Sequence, residues 1–141
     1  MTPPNRLHRS VSQQKQKQRK VIVGNKHGEK LVGILHETGS KELVVVCHGF
    51  QSRKERIPMV ALAVALEQEG ISAFRFDFAG NGESEGLFQY GNYCREAEDL
   101  RSVVQHFCGE KRVITAVIGH SKGVFVIPFS VYVAEEDKII K

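Results

Sequence analysis

Short, valine-rich apolar runs alternate with amphipathic segments along this chain, and this alternation limits its fold more than any other feature. Leu43–Cys47 is a continuous apolar run, as expected for a strand that is buried on both faces. Ile71–Phe76 and Val113–Ile118 predict two further strands. The segments between these strands, Pro58–Glu69 and Asn92–Phe107, repeat apolar residues at helical spacing. The sequence therefore predicts an α/β fold, with a mostly parallel sheet and helices on both faces.

An antiparallel hairpin is predicted ahead of the parallel strands. Lys20–Val23 and Leu31–Leu35 are apolar runs that flank Asn25–Gly28, a segment with the asparagine and glycine typical of turns. Gly70 directly follows the first predicted helix. Because glycine is the residue most often found just after a helix, Gly70 is predicted to end this one.

The basic excess of the chain is confined to its N-terminal tail. The net charge is +4, from 20 Lys and Arg against 16 Asp and Glu. Residues 1–20 hold six of the basic residues and no acidic one, so the other 121 residues carry a net charge of −2. Residues 1–18 lack apolar anchors and are predicted to be a disordered basic tail. Nucleic-acid binding is not expected, because no aromatic residues alternate with the basic ones.

The cysteine content predicts the compartment. Cys47, Cys94 and Cys108 are too few and too scattered for a disulfide scaffold or a zinc site. Free thiols in a reducing compartment, hence a cytoplasmic location, are expected, and an organelle transit peptide in the tail is the alternative. No run approaches the 18 apolar residues of a transmembrane helix. The sequence shows no pattern for a metal ion or an organic cofactor.

Three glycine-containing clusters follow the three predicted parallel strands, at the strand ends where open α/β sheets carry their chemistry. The last is Gly119-His120-Ser121-Lys122-Gly123, a G-x-S-x-G sequence. In a nucleophile elbow of this form the serine lies on a strained strand-to-helix turn, and the flanking glycines remove Cβ atoms that would clash. Ser121 is therefore the candidate nucleophile, with an ordinary glycine-rich turn as the alternative.

The first cluster, His48-Gly49-Phe50, directly follows Leu43–Cys47. Acyl transfer needs backbone N–H groups aimed at the developing oxyanion. One such donor belongs to the residue after the nucleophile, here Lys122, and the other comes from the loop after this earlier strand. Phe50 is the favoured second donor. The alternative for this cluster is a plain strand-to-loop turn.

The middle cluster follows Ile71–Phe76. Its Gly80 and Gly82 do not form a dinucleotide-binding loop, because Glu85 stands where that pattern needs its third glycine. A structural turn is predicted instead, in which the side chains of Asp77 and Ser84 form hydrogen bonds with backbone groups.

Taken in this order, the three clusters resemble the α/β-hydrolase superfamily, particularly its esterase/lipase and serine aminopeptidase-like branch. The resemblance covers about residues 19–123, the predicted partial hydrolase domain. It implies that Ser121 is the nucleophile and that the backbone N–H groups of Phe50 and Lys122 form the oxyanion hole. It also implies structural roles, without catalytic function, for His48, Gly49, Asp77, Gly80, Gly82, Ser84, Gly119, His120 and Gly123.

The chain departs from this family pattern after Gly123. The family's triad order is Ser, then Asp or Glu, then His. The residues after Ser121 include three acidic side chains but no histidine, so the catalytic histidine is not placed. His48 is the nearest substitute in this fold, as a rescue base. The segment Val124–Lys141 is rich in β-branched and aromatic residues and is interpreted as a divergent tail of a truncated or alternatively spliced chain.

Two functions are predicted for the domain; contact of the basic tail with nucleic acid or an acidic membrane is a third hypothesis, which the net charge of −2 on the other 121 residues weakens. The first is a serine hydrolase that uses Ser121 on an ester, a thioester or another small acyl substrate. The alternative is a catalytically inactive, truncated hydrolase fragment or a partner-binding module, which the missing histidine favours. Loss of a triad member typically reduces turnover by orders of magnitude and leaves residual catalysis from the oxyanion hole.

Overall fold

The computed structural model of this chain describes residues 18–48, 52–88 and 93–119. In chain order, its elements are β1 (Gln18–Gly24), β2 (Lys30–His36), β3 (Glu42–Cys47), α1 (Ile57–Gln68), β4 (Ser72–Phe76), α2 (Tyr93–Gly109) and β5 (Val113–Gly119). All predicted strands and both predicted helices are present, and no end differs from its predicted position by more than two residues. Gln18, assigned to the N-terminal tail from the sequence, is the first residue of β1, and the rest of that tail lies outside the described residues.

The five strands form one sheet in the order β1-β2-β4-β3-β5. The first two strands are antiparallel, as the predicted hairpin requires, and β2 also pairs antiparallel with β4. Strands β3, β4 and β5 run parallel to one another. The sheet therefore combines an N-terminal antiparallel hairpin with a parallel part, as predicted.

The two helices cover opposite faces of this sheet. On one face, Phe74 of β4 packs in a buried cluster with Leu100 and Phe107 of α2. On the other face, Val44 and Val46 of β3 pack against α1. Strand β3 is consequently buried on both sides, which explains its continuous apolar run.

Helix α1 ends at the predicted glycine. Gly70 has a φ of 78°, in the left-handed region that glycine adopts without steric cost. Its N–H donates to the carbonyl of Glu67 at 3.0 Å, and the N–H of Ile71 donates to the carbonyl of Leu66 at 2.9 Å. This pair of bonds is the Schellman motif, which satisfies the last carbonyls of a helix.

Strand β5 lies at one edge of the sheet. Among the described residues it pairs with β3 alone. Most residues of β5 are more exposed than those of β3 and β4. Its apolar side chains Val113 and Ile118 are partly exposed. In the part of the chain that the structure describes, neither helix combines the length and apolarity needed to cross a membrane.

Candidate active site

The parallel strands bring the start of each of the three glycine-containing clusters to one edge of the sheet. Cys47, the last residue of β3, pairs with Phe76 of β4 and with Gly119 of β5. His48 and Asp77 therefore follow neighbouring strands at the same level, and Gly119 ends the third. This is the strand end at which open α/β sheets bind ligands. The remaining predicted site residues lie outside the described residues: Gly49, Phe50, His120, Ser121, Lys122 and Gly123.

His48 links the loop after β3 to the turn after β4. It is fully buried, and its Nε2 accepts a hydrogen bond from the backbone N–H of Phe78 at 3.1 Å. Its ring meets the Phe78 ring edge-on, with centroids 5.1 Å apart. Because the Nε2 lone pair is occupied, the neutral ring carries its proton on Nδ1. This geometry suits a loop-shaping residue and leaves Nε2 unable to act as a general base.

Asp77 organises the turn after β4, as the sequence predicted. Its carboxylate is buried, and Oδ1 accepts the backbone N–H of Lys54 at 2.7 Å. Its Oδ2 accepts the backbone N–H of Glu83 at 3.0 Å and the Nζ of Lys54 at 2.7 Å. A carboxylate with this many donors fixes both the turn and the segment after β3.

The predicted role of Ser84 is also confirmed. Its hydroxyl donates to the carbonyl of Asp77 at 2.6 Å and accepts the N–H of Val32 at 2.8 Å. Gly82 lies between these residues with a φ of 51°, and a Cβ placed there would lie 2.3 Å from Oδ2 of Asp77. The turn after β4 therefore requires glycine at this position on two grounds, conformation and space.

Lys54 is the residue at this edge that the sequence did not single out. Its side chain is fully buried, although it stands in a run of charged residues typical of a solvated loop. Its Nζ is 2.7 Å from Oδ2 of Asp77, 2.7 Å from Oε1 of Glu83 and 3.0 Å from Oε2 of Glu55. Burial alone would lower the pKa of Lys54, but these hydrogen bonds outweigh it and raise that pKa.

The same three carboxylates are close enough together to hold a metal ion. Oxygen atoms of Glu55, Asp77 and Glu83 lie within 4.8 Å of one another. The ammonium of Lys54 already lies against all three, and with Lys20 it lowers the pKa of Glu83 to about 2. The cluster is thus an ion-pair network centred on Lys54. The carboxylate oxygens that could bind a metal ion contact the ammonium of Lys54 instead.

A second buried polar chain extends from Lys54 through the sheet. Arg75 of β4 donates from Nη1 to the carbonyl of Lys54 at 3.1 Å and from Nε to Nε2 of His36 at 2.9 Å. His36 in turn donates from Nδ1 to Glu67 of α1 at 2.8 Å. Burial, assisted by the Arg75 charge, outweighs the attraction of Glu67 and lowers the pKa of His36.

A cleft of about 330 Å³ lies beside these networks. It is bordered by the segment after β3 and the turn after β4, and its lining residues are Ser52, Arg53, Arg56, Gly80, Asn81, Gly82 and Phe88. A larger cleft of about 620 Å³ lies between the hairpin turn and α2, and it contains none of the predicted site residues. We take the smaller cleft as the candidate substrate site, because it adjoins the strand ends that carry the clusters.

Among solved structures, several hydrolases share this fold. An esterase from Pyrococcus furiosus is 29% identical with a TM-score of 0.71, over 78% of this chain and 42% of the esterase. Est1E from Butyrivibrio proteoclasticus, solved with ferulic acid bound, is 22% identical with a TM-score of 0.73, over 82% and 48% of the two chains. A serine hydrolase homologue from Coxiella burnetii is 23% identical with a TM-score of 0.70, over 85% and 58%. The chain thus spans about half the length of these structures.

The family comparison covers most of the chain. No curated protein gives a significant match. The family model described as serine aminopeptidase, S33, matches residues 38–141. That match continues past Gly123, through Val124–Lys141, the segment that the sequence analysis interpreted as a divergent tail. Together with the hydrolase fold of the described residues, it shows that this chain belongs to the serine aminopeptidase S33 family of α/β hydrolases.

Proposed function

We propose that this chain carries the nucleophile and the oxyanion hole of a serine hydrolase that acts on esters, thioesters or other small acyl compounds. One observation carries the proposal: β3 and β5 are neighbouring parallel strands whose last residues, Cys47 and Gly119, are paired. The His48-Gly49-Phe50 cluster and the elbow around Ser121 therefore start side by side at one edge of the sheet. The esterase from Pyrococcus furiosus, which shares the fold, supports an ester as the substrate.

In the proposed reaction, the Oγ of Ser121 attacks the carbonyl carbon of the substrate. The N–H groups of Phe50 and Lys122 stabilise the oxyanion of the tetrahedral intermediate. When the bond to the alcohol or thiol breaks, the leaving group takes up the proton that Ser121 has lost. Water then attacks the acyl-enzyme, releases the carboxylic acid and restores the serine hydroxyl.

A second candidate function, binding without efficient turnover, is favoured by the state of His48. The Nε2 of His48, the substitute base that the sequence suggested, accepts the Phe78 N–H and is not available to Ser121. An elbow without a base retains an unperturbed serine hydroxyl, which is a weak nucleophile. In that case the chain would bind an acyl ligand or a protein partner at the same edge.

Labelling with a fluorophosphonate probe distinguishes the two functions, because the probe reacts with an activated serine. We expect stoichiometric labelling of the wild type and none of Ser121→Ala. Ser102→Ala is the matched control, since Ser102 lies on α2 and donates to the carbonyl of Glu98. Absence of labelling in well-folded wild-type protein would rule out the active serine and favour the binding function.

A p-nitrophenyl ester adds a second measurement. Release of one equivalent of p-nitrophenolate, followed by a slow phase, would indicate that Ser121 is acylated and that deacylation lacks a base. Steady turnover that is lost in Ser121→Ala would indicate a complete hydrolase. Equal rates in the wild type and Ser121→Ala would contradict the proposed mechanism.

A further inference from the structure

The segment between β3 and α1 is bound at two positions to the turn after β4. At its start, His48 accepts the N–H of Phe78 at 3.1 Å. Six residues later, Lys54 binds Asp77 through its main chain and through its side chain, each at 2.7 Å. The proposed oxyanion donor, Phe50, stands between these two attachment points in the sequence.

Lys54 makes polar contacts through its backbone N–H, its backbone carbonyl and its side chain. Its backbone N–H donates to Asp77, its backbone carbonyl accepts from Arg75 at 3.1 Å, and its ammonium binds the carboxylates of Asp77, Glu83 and Glu55. Its main-chain partners both belong to β4 or to the residue directly after it. The position of Lys54 is therefore fixed relative to the central strand of the sheet.

A contribution to the stability of the fold does not by itself explain why a lysine is buried at this position. Buried ion pairs recover little more than their desolvation cost, and well-packed apolar side chains commonly match them. In some proteins a buried charge network instead fixes one defined arrangement of the groups that it joins. The joined groups here are the segment after β3 and the turn after β4, which together border the candidate substrate cleft.

We infer that Lys54 is a positioning residue for the oxyanion hole: it binds Asp77 four residues after Phe50 and so fixes one end of the chain segment that carries this donor. The inference rests on the proposed function, in which Phe50 is a donor. A donor contributes most when it is already placed where the oxyanion will form. Displacement of a catalytic group by about 1 Å is enough to slow a reaction by about 100-fold.

The test compares Lys54→Met with Lys20→Met. Methionine keeps the length of the lysine chain and removes its ammonium. Lys20→Met is the matched control, because Lys20 binds the same Glu83 at 2.9 Å but, among the described residues, forms no hydrogen bond or ion pair with Asp77 or Lys54. Two quantities are measured for each variant below its melting temperature: the second-order rate of fluorophosphonate labelling at Ser121, and amide hydrogen exchange in peptides spanning residues 47–56.

We expect Lys54→Met to label about 10- to 100-fold more slowly than the wild type and to exchange faster in residues 47–56. Lys20→Met should match the wild type in both measurements. Wild-type labelling of Lys54→Met, or an equal loss in both variants, would overturn the positioning role. If Lys54→Met does not fold, Glu83→Gln replaces it; a smaller loss in the same direction supports the role, and no change relative to Lys20→Met overturns it.

Hydrogen exchange separates failure of this inference from failure of the proposed function. If the wild type is not labelled, the proposed function fails and the oxyanion role of Lys54 fails with it. Faster exchange confined to residues 47–56 in Lys54→Met would still establish that Lys54 anchors this segment. Unchanged exchange there would overturn the anchoring itself, whatever the labelling result.

Discussion

Substitution of Gly82 by alanine tests whether the turn after β4 is as rigid as its hydrogen bonds indicate. Gly82 has a φ of 51°, and its added Cβ would lie 2.3, 2.4 and 2.6 Å from Oδ2, Cγ and Oδ1 of Asp77. That carboxylate accepts three hydrogen bonds, two from Lys54 and one from Glu83. Moving it away from the added Cβ is therefore expected to break at least one of these hydrogen bonds.

The expected loss of stability has two parts. A left-handed conformation costs a residue with a Cβ about 1–2 kcal/mol. Displacing Asp77 far enough to break one charge-assisted hydrogen bond costs about 1.5–3 kcal/mol more. The free energy of unfolding of Gly82→Ala should therefore fall by about 2.5–5 kcal/mol relative to the wild type.

Gly70→Ala provides the matched control. Gly70 also has a positive φ, 78°, but a Cβ placed there meets no atom within 4 Å. Its loss should be limited to the conformational part, about 1–2 kcal/mol. Urea unfolding followed by far-UV circular dichroism measures both variants, since the chain has no tryptophan. Equal losses in the two variants would refute the argument that Asp77 is held in place.

Two further predictions concern buried titratable groups. Burial holds the pKa of His36 below its ordinary value of 6.5. As the pH drops below 6.5, the unfolded chain therefore binds a proton more readily than the folded one, and the free energy of unfolding decreases. Urea unfolding at pH 7.5 and 5.5 should show a smaller decrease for His36→Gln than for the wild type. An equal fall in both proteins would show that His36 does not contribute. Burial also raises the pKa of the Cys47 thiol, whereas Cys94 is exposed, so iodoacetamide at pH 8 should alkylate Cys94 and reach Cys47 only after urea is added. Peptide mass spectrometry measures both sites, and rapid alkylation of native Cys47 would contradict its burial.

The elements of this fold follow from local sequence, because each depends on neighbouring residues. The valine run of β3 indicated burial on both faces, and Gly70 indicated the end of α1. Asp77 and Ser84 were predicted from residue type, since their side chains bond backbone groups only a few residues away as well as distant ones. The roles of Phe50, Ser121 and Lys122 stay predictions, because these residues lie outside the described part of the chain.

The buried charges could not be predicted in the same way. Lys54 stands between Arg53 and Glu55, both exposed, and its partner Asp77 is 23 residues away. Arg75 is a charged residue buried in a strand, and its Nε–H finds an acceptor in His36, 39 residues earlier. Each of these contacts exists only after the strands have paired, so single-sequence periodicity contains no signal for them.

The strand order sets a condition on how this domain assembles during synthesis. The hairpin β1–β2 and strand β3 are consecutive in the sequence, but they are not neighbours in the sheet, because β4 lies between them. A growing chain that ends before Ser72 therefore contains the β1–β2 hairpin and β3, but not the strand that joins them. Since β4 pairs with both β2 and β3, the ribosome must release residues 72–76 before the hairpin and the parallel strands can join into one sheet.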